Sequence, residues 1–125
     1  MSSLNILIVD DIVVNRILLV EIIRQLNYNY AEAKNGKEAF DLVSEKNFDL
    51  ILMDIEMPVM NGLETTKKIR KELAYPKNKI PIVALTAHNP NDFFQSFTDV
   101  GFSDLICKPY LVEKIADTIQ KFYTK

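Results

Sequence analysis

The chain has 125 residues, 48% of them apolar, a net charge of −2 and one cysteine, which suits a single domain with its own core and excludes a disordered chain or an internal disulfide. No basic stretch offers electrostatic attraction to nucleic acid or anionic lipid. No signal-like N-terminus and no apolar run near the roughly 18 residues of a membrane span are present, so a cytosolic protein is expected.

In chain order, short apolar runs alternate with longer amphipathic ones. Asn5 to Val9 reads as a buried strand ending at Asp10 and Asp11. From about Val14 to Leu26, Val14, Leu18, Ile22 and Leu26 recur every four residues with Leu19 and Ile23 beside them, which predicts a helix with a wide apolar face. Tyr28 to Ala33 is a more polar strand, expected near a sheet edge. Asn35-Gly36 turns into a short helix to about Lys46, with Phe40 and Val43 inward. Leu50 to Met53 is a third strand and ends at Asp54. Met57-Pro58 and Asn61-Gly62 mark a long loop, and a helix then runs to about Leu73 with Leu63, Ile69 and Leu73 facing the core. Tyr75-Pro76 ends that helix.

Pro81 opens the fourth strand, Ile82 to Leu85, which stops at Thr86. Asn89, Pro90 and Asp92 read as the start of a fourth helix, with Phe93, Phe97 and Val100 as its stripe and Gly101 as its end. Asp104 to Cys107 is the fifth strand, stopped by Lys108-Pro109. Cys107, in the apolar run Leu105-Ile106-Cys107, reads as a small packing residue. Leu111, Ile115, Ile119 and Phe122 define the last helix. Five strand-then-helix repeats imply a mostly parallel sheet with helices on both faces.

Ligands of such sheets bind beyond the carboxyl ends of the strands. There the sequence places Asp10 and Asp11, Asp54, Thr86 and Lys108. Three close carboxylates repel one another and either share a proton or bind a cation. Oxygen ligands suit a hard divalent ion such as Mg²⁺, and the sole histidine, His88, offers no soft-metal cluster. A carboxylate can attack phosphorus, while an ammonium and a hydroxyl stabilise phosphoryl oxygens. Together these groups describe phosphoryl transfer to an aspartate.

The segments ILIVDD, LILMDIEMPVMNG, IPIVALTA and CKP, in this order and spacing, resemble the receiver domain of bacterial response regulators across nearly the whole chain. The resemblance implies one receiver domain over residues 1–125, with Asp54 as the phosphoacceptor. It implies that Asp10 and Asp11 hold Mg²⁺ with Asp54 and the backbone carbonyl of Glu56, Asp11 being the direct ligand of the pair. Thr86, Ala87 and Lys108 then contact the phosphoryl group, and the Lys108-Pro109 bond is expected to be cis. The implied fold is α/β and flavodoxin-like: a parallel sheet in the order 2-1-3-4-5, doubly wound by five helices. The implied partners are a histidine kinase or histidine phosphotransfer protein and an unknown downstream protein, with no nucleic acid and no membrane. The downstream surface is formed by the fourth helix, fifth strand and fifth helix. Beyond gaining and losing its own phosphoryl group, no enzyme activity is expected.

Two departures stand out. Leu105 occupies a position where the family usually has Tyr or Phe, which leaves a packing leucine in a less aromatic switch. His88, two residues after Thr86, would with Glu56 flank the path of water to the phosphoryl group and so modulate its lifetime. DDIVVNR and IPIVALTA look most like receivers of hybrid histidine kinases or of phosphorelays. Three other readings fit less well. A haloacid-dehalogenase phosphatase carries its nucleophile on the first core strand, and a flavodoxin-like cofactor domain would have to hold a phosphate that Asp10 and Asp11 repel. A receiver that no longer uses phosphate would have lost part of the acid set.

Overall fold

Five short runs, the three central ones apolar enough to be covered on both sides, pair in parallel to make the sheet. They are β1 (Asn5–Val9), β2 (Asn29–Ala33), β3 (Leu50–Asp54), β4 (Ile82–Thr86) and β5 (Asp104–Cys107), in the order β2-β1-β3-β4-β5. The computed structural model describes residues 4–57, 59–87 and 99–123. Its helices are α1 (Val13–Gln25), α2 (Gly36–Glu45), α3 (Gly62–Glu72) and α4 (Val112–Tyr123), with a 3-10 turn at Lys77–Lys79. The α/β architecture and strand order match the sequence expectation. The helix expected from Asn89 lies almost wholly outside the described residues; of it, Asp99 and Val100 are helical, and Gly101 follows at φ 109°. The expected C-terminal helix is therefore α4 here.

Strand alternation divides the core into two layers. Leu7, Val9, Ile51, Met53, Ile82 and Ala84 pack against Ala39, Val43 and Ile69 of α2 and α3. Ile6, Ile8, Leu50, Leu52, Val83 and Leu85 pack against Leu19, Ile22, Ile23, Ile115 and Ile119 of α1 and α4. β2 is at the edge and is mostly exposed, as its polar sequence suggested.

Local capping agrees with the chain's turn residues. Asn35 accepts the Glu38 N–H at 2.9 Å, and Asn61 with Glu64 forms a reciprocal capping box at the start of α3. Arg70 ties α3 to the rest of the sheet by donating to the carbonyls of Gly101, Asn78 and Ile80. No described helix is long and apolar enough to cross a membrane.

The apolar face of α1 is narrower than the sequence suggested. Val14 and Leu18 are 73% and 45% exposed, and the core stripe is Leu19, Ile22 and Ile23. Arg16 agrees with this rotation: its guanidinium donates to the Asp10 carbonyl at 2.8 Å and reaches Glu32 at 3.3 Å. At about 100° per residue, Val13, Val14, Ile17 and Leu18 then share the outer face.

Candidate functional site

The site forms where β1 and β3 end side by side, in the pairing that aligns Val9 with Met53. Asp10 is fully buried there. Its Oδ1 accepts the Ile12 N–H at 2.9 Å, which turns the chain into α1 without any cap from Ile12 itself. Asp54 is 2% exposed at the end of β3. Gly62 is what lets the following loop return so closely. A side chain there would collide with the Asp54 carbonyl oxygen, and its own N–H donates to Ile55 at 2.9 Å.

One carboxylate oxygen from each of Asp10, Asp11 and Asp54 lies within 4.8 Å of the others. Lys108, after β5, places Nζ 3.7 Å from Asp54 Oδ1. Burial pushes the Asp54 carboxyl up to about 6, and the Asp10 charge adds to this; Lys108 and the Glu56 N–H pull the other way.

The carboxylates fit a hard divalent cation. Asp11 Oδ1 is buried and has no hydrogen-bond partner, so an acceptor oxygen is left for an ion to use. Both oxygens of Asp10, by contrast, meet protein donors, Oδ1 at Ile12 and Oδ2 at the Tyr110 hydroxyl 3.4 Å away.

Of the other residues singled out by sequence, Thr86 is buried at the end of β4, and its carbonyl accepts the Lys108 N–H at 2.8 Å. Ala87 follows it, exposed. Glu56 is exposed beyond Asp54, while His88 lies outside the described residues, so no approach between the two is placed. Leu105 is half-buried and packs on the α2/α3 side of the sheet. The Lys108-Pro109 peptide bond is cis, as is Tyr75-Pro76. Cys107 is half-buried and is paired in register with Thr86.

Tyr110 is the site residue that sequence reasoning missed. It is 7% exposed, its ring lies in the α1/α4 core, and its hydroxyl reaches the acid pocket. Burial, then the charges of Asp10 and Asp54, push its hydroxyl pKa up, so it stays a donor. The available signal was a polar-tipped aromatic directly after the strand-end Lys108-Pro109, since a buried tyrosine hydroxyl needs a partner. Val59, in the loop after Asp54, has φ 71° although it is β-branched, a conformation that side chains of this kind rarely adopt.

Residues 6–120 match the response regulator receiver domain family. Among curated relatives, the chain is 38% identical over 120 residues to hybrid signal transduction histidine kinase E of Dictyostelium discoideum. That match covers 94% of this chain and 7% of the kinase. Among solved structures, it is similar to the receiver domain of a Saccharomyces cerevisiae response regulator, co-crystallised with a histidine phosphotransfer signalling protein. The TM-score is 0.86 at 31% identity, covering 97% of this chain and 89% of that one. The receiver domain of a Pseudomonas aeruginosa sensor histidine kinase, with a magnesium ion coordinated in its active site cleft, gives a TM-score of 0.89 at 27% identity, covering 99% and 100%. Sequence and fold agree along nearly the whole chain, which belongs to the response regulator receiver domain family.

Proposed function

We propose that residues 1–125 form one phosphoryl-accepting receiver, in which Asp54 takes a phosphoryl group from a phosphohistidine on a histidine kinase or histidine phosphotransfer protein. The observation that carries this reading is the setting of Asp54: buried, beside two more carboxylates, with the Lys108 ammonium 3.7 Å away. An ionised Asp54 oxygen attacks phosphorus. The bond from phosphorus to the donor imidazole nitrogen breaks, and that nitrogen keeps the electron pair. Lys108, together with the Thr86 hydroxyl and Ala87, would then hold the phosphoryl oxygens. Magnesium, held by Asp10, Asp11, Asp54 and the Glu56 carbonyl, would offset the charge of the carboxylates and of the incoming group. The unpartnered Asp11 oxygen supports that role, as does the magnesium in the Pseudomonas relative.

The donor has to cover the rim of the pocket, and a surface suited to it stands there. Ile12, Val13, Val14, Ile17 and Leu18 are 45% to 73% exposed on the half of α1 that leaves Asp11. An apolar stripe of this kind fits the side of a helix that carries a phosphohistidine. The likeness to a receiver crystallised with a phosphotransfer protein supports that occupant. The outgoing signal is assigned to the face formed by the fourth expected helix, β5 and α4, read by a downstream protein. Glu56 and His88 are assigned to the access of hydrolytic water, and loss of label that responds equally to pH in the parent and in His88→Ala would remove His88 from that role. Chemistry is confined to the chain's own phosphoryl group, and the protein is expected to act in the cytoplasm.

Acetyl phosphate with Mg²⁺ should add one acid-labile phosphoryl group, and Asp54→Asn should abolish it. Labelling of Asp54→Asn at the parent's yield would sink the assignment.

A further inference from the structure

The acid pocket has a member that does not end a strand. Tyr110 belongs to the core cluster that includes Leu19, Ile22, Ile115 and Ile119, while its hydroxyl donates to Asp10 Oδ2 at 3.4 Å. From the other side the Ile12 N–H donates to Asp10 Oδ1 at 2.9 Å. Donors on opposite oxygens restrict the turning of the Asp10 carboxylate, the Ile12 N–H strongly and the more distant Tyr110 hydroxyl weakly. The ring itself cannot swing away, because it is buried between two helices.

We propose that Tyr110 is a positioning residue for the divalent cation, acting through Asp10, which has an oxygen within 4.8 Å of those of Asp11 and Asp54 and keeps a second lone pair on each hydrogen-bonded oxygen. This rests on the reading of the pocket as a magnesium site. The reason is geometric. Mg²⁺ demands near-ideal octahedral coordination, whereas Ca²⁺ accepts irregular and variable ligand arrangements. A carboxylate held near one orientation therefore favours Mg²⁺ over Ca²⁺, and a looser one narrows the difference. Hydrogen bonds that orient metal-binding groups are typically worth 10- to 100-fold in affinity. The bond here is long, so its effect belongs at the low end.

Tyr110→Phe keeps the ring and removes only the hydroxyl. Mg²⁺ and Ca²⁺ titrations of the full chain, followed by the amide NMR signals of Asp10, Asp11 and Asp54, read both affinities without any phosphoryl transfer. Tyr110→Phe should bind Mg²⁺ about tenfold more weakly and lose less than about threefold for Ca²⁺. Unchanged Mg²⁺ affinity would overturn the proposal. An equal loss for both cations would also overturn it, since that is what general destabilisation of the pocket produces. A parent chain that binds neither cation would instead overturn the magnesium reading, and this inference with it. Asp11→Ala serves as the reference for a broken pocket and should lose the shifts for both ions.

Discussion

Lys108 Nζ reaches to 3.7 Å from Asp54 Oδ1, although β4 lies between the strands that the two residues follow. The lysine thus extends across the carboxyl end of a neighbouring strand to meet the buried carboxylate. Its charge opposes the burial and the Asp10 repulsion that push Asp54 up to about 6. Lys108→Met should therefore raise the Asp54 pKa further, by about one unit or more. Carboxyl carbon NMR over a pH series would read this directly, and an unchanged midpoint would show that the ammonium does not govern Asp54.

The same carboxyl makes stability depend on pH. Its value in the folded protein, about 6, lies above the ordinary value of 3.8. Between these values the folded state holds more protons than the unfolded one, so this group's contribution falls as pH rises and is fully lost above about pH 6. At roughly 1.4 kcal/mol per unit, the cost in metal-free protein is about 3 kcal/mol. Urea unfolding should find metal-free Asp54→Asn more stable than the parent by about 2–3 kcal/mol at pH 7.5. The gain should shrink toward zero near pH 4. A variant no more stable than the parent at pH 7.5 would contradict the strained carboxylate.

The outer face of α1 can be separated from the chemistry. Ile17 is 63% exposed and Val14 73% exposed, so neither holds the core together. Ile17→Asp and Val14→Asp should each slow phosphoryl transfer from a phosphorylated histidine phosphotransfer protein by about tenfold or more, as loss of a central apolar contact does. Labelling by acetyl phosphate should stay at the parent's rate. Equal slowing with both donors would place the defect in the pocket.

Val59 stores backbone strain in the loop after the acceptor. Its φ of 71° costs a β-branched residue on the order of 1–3 kcal/mol, and at 77% exposure its side chain gives little packing in return. Val59→Gly should stabilise the protein by about 1 kcal/mol after the extra chain entropy of glycine is subtracted. Denaturant unfolding checks this, and a loss of stability of more than about 1 kcal/mol would mean that Val59 makes compensating contacts.

Strands and their ends were legible because both depend on local pattern. A run such as Ile6 to Val9, apolar at every position, suits a strand buried on both faces, and the polar residue that stops it marks the edge where ligands bind. Asp10, Asp11, Asp54, Thr86 and Lys108 could thus be named before any contact was known. The rotation of α1 could not. Its first turns are apolar nearly all round, so periodicity alone left open which stripe faced the sheet; packing against the strands buries Leu19, Ile22 and Ile23. The partnership of Tyr110 with Asp10 spans 100 positions of sequence and exists because the sheet order places α1 and α4 on the same face. The raised Asp54 pKa and the left-handed Val59 likewise belong to the folded chain, since desolvation and loop closure have no local signature in the order of residues.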